Sequence, residues 1–221
     1  VVLQRLVFNG MADRATELAV RLGELPPAAH EDLACVAFIH RAHAAVGQIV
    51  FDVMADMDHR RASAEAFEQI GDFRQALSQR INLANCYVQV GAYELAEQEL
   101  RVALGFAERM NLPVSIANSK SNLGHVLGLL GAFSASERLL RESIAMFEQQ
   151  GNLRLESATR TYLAMTLFET GRDAEAREEI ERAISVAPAE SDRIFALSFR
   201  ARLELTEGDV ERALADATVA V

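Results

Sequence analysis

The sequence predicts an all-α chain, a right-handed superhelical solenoid of antiparallel helix pairs. Two observations favour helices throughout: Ala, Leu, Glu and Arg, which are strong helix formers, dominate the composition, and only four prolines interrupt the 221 residues. A third observation favours a repeated helix pair, because turn residues and small residues recur at a fixed spacing along the chain.

Turn residues set the period of the repeat. Gly91, Gly131 and Gly171 stand 40 residues apart, and Gly208 follows after 37. Gly and Asn suit the left-handed backbone that ends a helix, so a turn residue every 20 positions predicts pairs of helices of roughly 17 residues. The intervening turns are expected at Gly71, Asn111 and Gly151.

Small residues recur between the turns and predict where two helices approach closely, since a large side chain there would push the helix axes apart. One set lies five residues after the glycines: Ala96, Ser136, Ala176 and Ala213. The other lies seven residues before them: Ala84, Gly124, Ala164 and Ala201.

The segment from Asn82 to Ala96 resembles a known family. Its NLANCY run at 82–87, followed by Gly91 and Tyr93, is similar to the tetratricopeptide repeat in its longer, 40-residue form. Ala187-Pro188 resembles the closing proline of that repeat, and the likeness extends from about Phe67 to the end. The resemblance implies that the first helix of each pair lines an inner groove, where asparagines commonly hold an extended peptide.

The repeat pattern predicts two parts. Residues 1–70 are expected to form degenerate N-terminal helical repeats, the first truncated, with residues 29–70 as one degenerate pair. Gly10 with Ala15 indicates a further turn, whereas the turn expected near Phe51 has no glycine. The chain lacks an initial methionine and ends within a helix, so we expect a fragment of a longer protein. The tetratricopeptide-like repeats are predicted at 71–110, 111–150, 151–188 and, truncated, 189–221.

The net charge and the composition limit the classes of partner that we expect the chain to bind. The formal net charge is −10, with 32 acidic residues against 22 Lys and Arg, whereas binding to nucleic acid draws on a basic surface. No apolar run reaches the length of about 18 residues that suggests a membrane span. Cys35 and Cys86 show no metal-binding or disulfide pattern. We therefore expect a cytoplasmic protein that binds neither nucleic acid nor membrane and needs no cofactor.

The sequence shows no catalytic pattern. It has no nucleophile elbow and no phosphate-binding glycine loop. His40 and His43 lie on one helix face, but a metal site would also need Cys35 or His59 to converge on them. We therefore predict neither an enzyme nor a metal site. Glutamate-rich stretches are interpreted as solvated faces with pairs along the helix: Glu94, Glu97, Glu99, Glu175, Glu178 and Glu179.

The predicted site is the inner groove. Asparagine is a poor choice inside a helix unless its amide, both donor and acceptor, gains a partner such as a peptide backbone. Two alternatives stay open: the amides bond to neighbouring helices, and the aromatic residues form ordinary packing between repeats. The degenerate pair would add Arg41 and Gln48, and the third repeat Phe168. The predicted groove residues are Asn82, Asn85, Asn118, Asn122, His125, Tyr162, Met165, Phe195, Phe199 and Arg202.

The predicted function is a protein-interaction scaffold that binds a peptide or partner segment in its concave groove. By analogy with repeat tails in large bacterial signalling proteins, it would be the regulatory part of such a protein. One alternative is a sensor of a small ligand or signalling peptide. Another is a self-assembly module, in which the region of Phe195 and Phe199 docks on a second copy to form a homo-oligomer.

Overall fold

The structure is a computed structural model that describes residues 12–219. In this range every regular element is an α-helix and no strand is present, so the predicted all-α class is confirmed. The helices are α1 (Ala12–Gly23), α2 (Pro27–Glu31), α3 (Leu33–Ile49), α4 (Val53–Gln69), α5 (Phe73–Gln89), α6 (Tyr93–Arg109), α7 (Pro113–Leu129), α8 (Phe133–Gln150), α9 (Leu153–Glu169), α10 (Asp173–Val186), α11 (Glu190–Glu207) and α12 (Val210–Val219).

The described helices form two compact units, which divide between Phe106 and Ala107. In the first unit, α3 packs on α4 and α4 on α5. In the second, α7 packs on α8, α9 on α10 and α11 on α12, as antiparallel pairs joined by short turns. The first helices of successive pairs also touch, α7 against α9 and α9 against α11. These three helices therefore form one continuous face of the second unit.

The predicted turns lie where the sequence places them. Seven residues expected to end a helix have a left-handed backbone, six of them glycine and the seventh Asn111, with φ +49°. The turn expected near Phe51 forms without glycine, because Phe51 itself adopts φ +57°. Its side chain is 90% exposed, so the ring gains no packing in return for this unfavourable backbone. The six glycines are Gly71, Gly91, Gly131, Gly151, Gly171 and Gly208.

The recurring small residues are buried at helix contacts, as predicted. Gly124 shows why: a Cβ atom there would lie 2.7 Å from Cγ of Leu140 and 3.2 Å from the carbonyl oxygen of Ser136. Helix α7 can approach α8 this closely only because residue 124 has no side chain. Around this contact the core of the second unit is built largely of aliphatic residues, including Leu140, Leu163, Leu167, Ile180 and Leu203.

The N-terminal region is more regular than its sequence suggests. The degenerate pair forms α3 and α4, each 17 residues long like α5, α6 and α7. Pro26 and Pro27 begin the five-residue helix α2, which accounts for the longer connection. The turn predicted at Gly10 lies outside the described residues. The repeat boundaries remain predictions.

None of the helices described between residues 12 and 219 has both the length and the apolar character needed to cross a membrane.

Candidate functional site

The face formed by α7, α9 and α11 carries an aromatic stack. The rings of His125 and Tyr162 are parallel, 9° apart in angle, with centroids 4.0 Å apart. Phe195 packs edge-on against Tyr162, with the ring planes at 67° and the centroids 5.4 Å apart. One residue from each of three successive first helices thus contributes to a single stack. The structure brings together these three residues that the sequence assigned to the groove.

A pocket of about 250 Å³ opens beside this stack. Met165 and Phe133 supply apolar walls, and glycine at 128 leaves part of the wall without a side chain. Glu169 and Arg202 lie at the polar side of the pocket and form an ion pair of 3.2 Å. The complete lining is His125, Gly128, Leu129, Gly131, Phe133, Tyr162, Met165, Thr166, Glu169 and Arg202.

Arg202 is held over aromatic rings. Its guanidinium carbon lies 5.2 Å from the centroid of Phe168 and 5.9 Å from that of Phe199. Both distances fall within the range of cation–π attraction. Phe199 itself is buried in the core, whereas Phe195 is 39% exposed. The predicted aromatic patch is therefore divided, with Phe199 serving packing and Phe195 accessible to a partner.

Two polar groups of the pocket lack partners among the described residues. Neither the His125 ring nor the Tyr162 hydroxyl makes a hydrogen bond to another described side chain or backbone group. Burial lowers the pKa of His125 to about 4, so its imidazole is neutral at pH 7. Burial also raises the pKa of Tyr162, which stays a neutral phenol. The pocket thus offers uncharged hydrogen-bonding groups in largely apolar surroundings.

The predicted asparagines differ from one another. The Asn122 amide donates to the backbone oxygen of Asn118 at 2.9 Å and to its side-chain oxygen at 3.0 Å, so its donor is engaged within α7. Asn82 and Asn85, on α5 of the first unit, make no side-chain hydrogen bond to a described residue. Their amides are therefore available to a partner in the way the sequence argument requires.

The groove residues suggested in the degenerate pair are both engaged. Arg41 donates to Oε1 of Gln75 at 2.9 Å and lies 4.7 Å from the ring centroid of Phe38. Gln48 accepts from Arg60 at 3.3 Å. These contacts are internal to the first unit, so they assign the two side chains a packing role in the free protein.

Buried ion pairs were missed by the sequence argument. Arg160 binds Glu156 at 2.9 Å within α9 and Glu179 of α10 at 2.8 Å, all three being buried. In the first unit, Arg80 binds Glu99 at 2.6 Å. The interpretation of Glu179 as solvated was wrong, because Glu179 is buried and reaches across to Arg160 of the preceding helix; the half-buried Glu99 reaches in the same way to Arg80. Arg80 and Arg160 are each the eighth residue of a first helix, and this recurrence in the sequence could have indicated the ion pairs.

The described residues contain no group of three or more His, Cys, Asp or Glu arranged to hold a metal ion. Three histidines of the first unit nevertheless meet, because His59 converges on His40 and His43. Nδ1 of His40 lies 2.9 Å from Nδ1 of His59, and the rings of His43 and His59 stack with centroids 5.0 Å apart. Neither of the two cysteines is in a disulfide.

Family comparisons identify the repeats. Residues 116–149 and residues 162–190 each match a profile described as Tetratricopeptide repeat. These two segments are tetratricopeptide repeats. The second match ends at residue 190, two residues after Pro188. The tetratricopeptide repeat is generally a non-catalytic scaffold for protein–protein interaction, and this chain has the fold of such a scaffold.

Solved structures show the same fold at low sequence identity. BtubC from P. vanneervenii is 18% identical with a TM-score of 0.67, the match covering 100% of this chain and 90% of that one. A Rap protein complexed with Competence and Sporulation Factor is 19% identical with a TM-score of 0.74, covering 93% and 56%. A signal transduction ATPase with a tetratricopeptide repeat sensor, from Pyrococcus horikoshii, is 14% identical with a TM-score of 0.73, covering 99% and 34%. This chain therefore spans only about half and a third of the last two proteins. No curated protein sequence matches it significantly.

Proposed function

We propose that this tetratricopeptide repeat chain binds an extended segment of a partner protein on the face formed by α7, α9 and α11. One large apolar or aromatic side chain of that segment enters the pocket beside Tyr162. The observation that carries the proposal is the stack of His125, Tyr162 and Phe195, which leaves an aromatic surface accessible at the edge of a preformed pocket. Aromatic residues in such pockets are the usual anchors of protein interfaces.

The size of the pocket favours a side chain over a metabolite. Ligand sites for drug-sized molecules enclose about 300–1,000 Å³. At about 250 Å³ this pocket is smaller, and it opens onto a longer face rather than closing around a ligand. A single aromatic or branched side chain suits this volume, while the rest of a peptide lies along the helices. This argues against the alternative of a small-metabolite sensor.

Each unit, taken by itself, also offers groups that suit a peptide backbone. The unbonded amides of Asn82 and Asn85 each offer a donor and an acceptor, which match the groups that every extended peptide presents. In the second unit, the His125 ring and the Tyr162 hydroxyl offer such groups inside the pocket. In the second unit, hydrogen bonds to the peptide backbone would give affinity for any sequence, while the pocket selects the side chain.

Structural neighbours support a regulatory setting. The Rap protein that shares this fold is complexed with Competence and Sporulation Factor, and the Pyrococcus protein is a signal transduction ATPase with a tetratricopeptide repeat sensor. We infer that this chain likewise senses or recruits within a larger bacterial signalling protein, in the cytoplasm, without chemistry of its own. Its partner is a protein or peptide rather than nucleic acid or membrane.

A peptide-display experiment tests the proposal. The protein is used to select peptides from a random library, and the best binder is labelled and titrated by fluorescence anisotropy. Phe195→Ala should weaken binding more than about tenfold, because aromatic anchors are often worth 2 kcal/mol or more. Phe51→Ala is the matched control, since Phe51 is also exposed but belongs to the first unit and is no part of the face formed by α7, α9 and α11. Equal effects of the two substitutions, or no binder at up to about 1 mM peptide, would contradict the proposal.

A second measurement on Phe195 distinguishes peptide binding from self-assembly. If Phe195 docks on a second copy, the molar mass in solution should rise with concentration, and Phe195→Ala should abolish that rise. A mass that stays monomeric at every concentration leaves Phe195 accessible to a peptide.

A further inference from the structure

The pocket beside Tyr162 holds two uncharged polar groups that the protein itself leaves unused. Neither the His125 ring nor the Tyr162 hydroxyl makes a hydrogen bond to a described residue. In the described part of the second unit, the polar atoms that are both sealed and without a partner lie on Ser119, Gln150 and Glu204, so the two pocket groups are reachable from the pocket. A side chain that fills the pocket therefore displaces water from both groups and has to replace the hydrogen bonds of that water.

The other polar side chains that line the pocket already have partners. The Thr166 hydroxyl donates to the backbone oxygen of Tyr162 at 3.1 Å and lies 2.9 Å from the hydroxyl of Ser136. Glu169 and Arg202 pair with each other at 3.2 Å. An acidic or basic side chain entering the pocket would have to compete for this ion pair, whereas an uncharged polar group meets partners that are free.

A phenol matches the two free groups. Burial lowers the pKa of His125 to about 4, so at pH 7 one nitrogen of its neutral ring accepts a hydrogen bond and the other donates one. The Tyr162 hydroxyl can likewise donate or accept. A phenolic O–H does both, an indole N–H only donates, and a benzene ring does neither. Tyrosine can therefore satisfy both groups, tryptophan at most one, and phenylalanine leaves both dehydrated without a partner.

The walls of the pocket suit the ring of that phenol. Met165 and Phe133 line the pocket with apolar atoms, and Gly128 leaves part of the wall without a side chain. The volume of about 250 Å³ holds one aromatic side chain. Serine and threonine also carry a hydroxyl, but side chains of their size would leave these apolar walls unfilled.

We propose that the side chain entering this pocket is a tyrosine of the partner segment, whose hydroxyl bonds to the His125 ring and the Tyr162 hydroxyl. This inference rests on the proposed function and adds the identity of the anchor residue. His125 and Tyr162 then determine specificity, because they distinguish tyrosine from phenylalanine. Met165 and Phe133 contribute apolar contact that either ring would gain.

Synthetic peptides test the choice of anchor. The probe is the tightest peptide selected from the random library, and its anchor is the position at which alanine weakens binding most. Versions that differ only there, with Tyr, Phe or Trp, are titrated by fluorescence anisotropy at pH 7. The Tyr version should bind at least about fivefold more tightly than the Phe and Trp versions, because each of those leaves a buried polar group without a partner.

Variants of the protein show whether this preference arises in the pocket. Tyr162→Phe removes only a hydroxyl that has no internal hydrogen bond, so the fold should hold and the preference for Tyr over Phe should shrink. In His125→Phe/Tyr162→Phe the Phe version should bind at least as tightly as the Tyr version. Tyr87→Phe is the matched control, since it makes the same chemical change in the first unit, where the Tyr87 hydroxyl accepts from Arg61 at 2.7 Å. It should leave the preference unchanged.

The outcomes separate this inference from the proposed function. Equal affinities of the Tyr and Phe versions for the wild type, or an unchanged preference in the double variant, would overturn the tyrosine anchor while peptide binding itself stands. If no selected peptide binds at all, the proposed function fails and the tyrosine anchor fails with it.

Discussion

The hydroxyl of Ser157 on α9 donates to the backbone carbonyl of Ala183 on α10, at 2.8 Å. Both residues are buried at the centre of their helix pair. At the equivalent positions of two other pairs the bond runs the other way, from a serine on the second helix to the carbonyl of an alanine on the first. Those bonds, also 2.8 Å long, are Ser63 to Ala37 and Ser143 to Ala117. These three pairs therefore share the same hydrogen bond, although the serine that donates it changes helix.

This relationship predicts a rescue. Ser157→Ala should lower the free energy of unfolding by about 1 kcal/mol, because a buried hydrogen bond is lost. Adding Ala183→Ser should recover most of that loss by restoring the orientation seen in the α3–α4 and α7–α8 pairs. Urea denaturation of the single and double variants measures both steps. A double variant less stable than Ser157→Ala would mean that the third pair cannot accept the reversed bond.

Gly124 should reverse the usual effect of adding a methyl group to a helix. Gly→Ala inside a helix normally stabilises by roughly 1 kcal/mol. At this contact a Cβ would lie 2.7 Å from Leu140, so Gly124→Ala should instead destabilise by about 1–3 kcal/mol, and Gly124→Leu by more. In a Leu140→Ala background the penalty should shrink, since the clashing atom is gone. Urea denaturation of all four combinations gives the coupling, and additive effects would count against the contact.

The turn positions and the close contacts could be predicted from sequence because each imposes a local requirement on one residue. A left-handed turn needs Gly or Asn, and a tight contact such as that at Gly124 needs a small side chain, so both leave a period in the sequence. Contacts made by long side chains leave no such mark. Glu179 looks like any surface glutamate until α10 places it against Arg160. The meeting of His59 with His40 likewise depends on how α3 and α4 are aligned.

Phe51 should be a stabilising site for glycine. An L-residue in the left-handed region destabilises the fold by about 1–2 kcal/mol. Glycine avoids this strain, but its greater freedom in the unfolded chain offsets roughly 0.5–1 kcal/mol of the gain. Phe51→Gly should therefore raise the free energy of unfolding by about 0.5–1 kcal/mol. Phe51→Ala, which removes the exposed ring but keeps the Cβ, should gain little. Urea denaturation of the two variants separates the backbone effect from loss of the ring.

Acid should weaken the fold through His125. In the folded state the pKa of this imidazole is lowered to about 4, whereas the ordinary value is about 6.5, so the unfolded chain binds a proton more readily. The free energy of unfolding is therefore unaffected by this proton equilibrium above about pH 6.5. It falls as the pH falls from there towards 4, by at most about 1.4 kcal/mol per pH unit. His125→Gln should therefore lose less stability than wild type between pH 7 and pH 5. The exposed His30→Gln variant is the control, and equal losses in wild type and His125→Gln would contradict the assignment.

The amides of Asn82 and Asn85 give the sharpest test of backbone recognition. Both are free of side-chain hydrogen bonds to described residues, so changing them to Ala removes no internal contact of that kind and installs a better helix former. The double variant should melt at or above the temperature of the wild type. If these amides hold a peptide, each bond is worth about 0.5–1.5 kcal/mol, so binding should weaken by about 1–3 kcal/mol, or roughly 5- to 150-fold. Asn122→Ala is the matched comparison, because its donor is already engaged with Asn118, so it should affect binding less. Anisotropy titrations with the selected peptide, beside thermal melts of each variant, measure both quantities. A lowered melting temperature with unchanged binding would assign the asparagines to the scaffold alone.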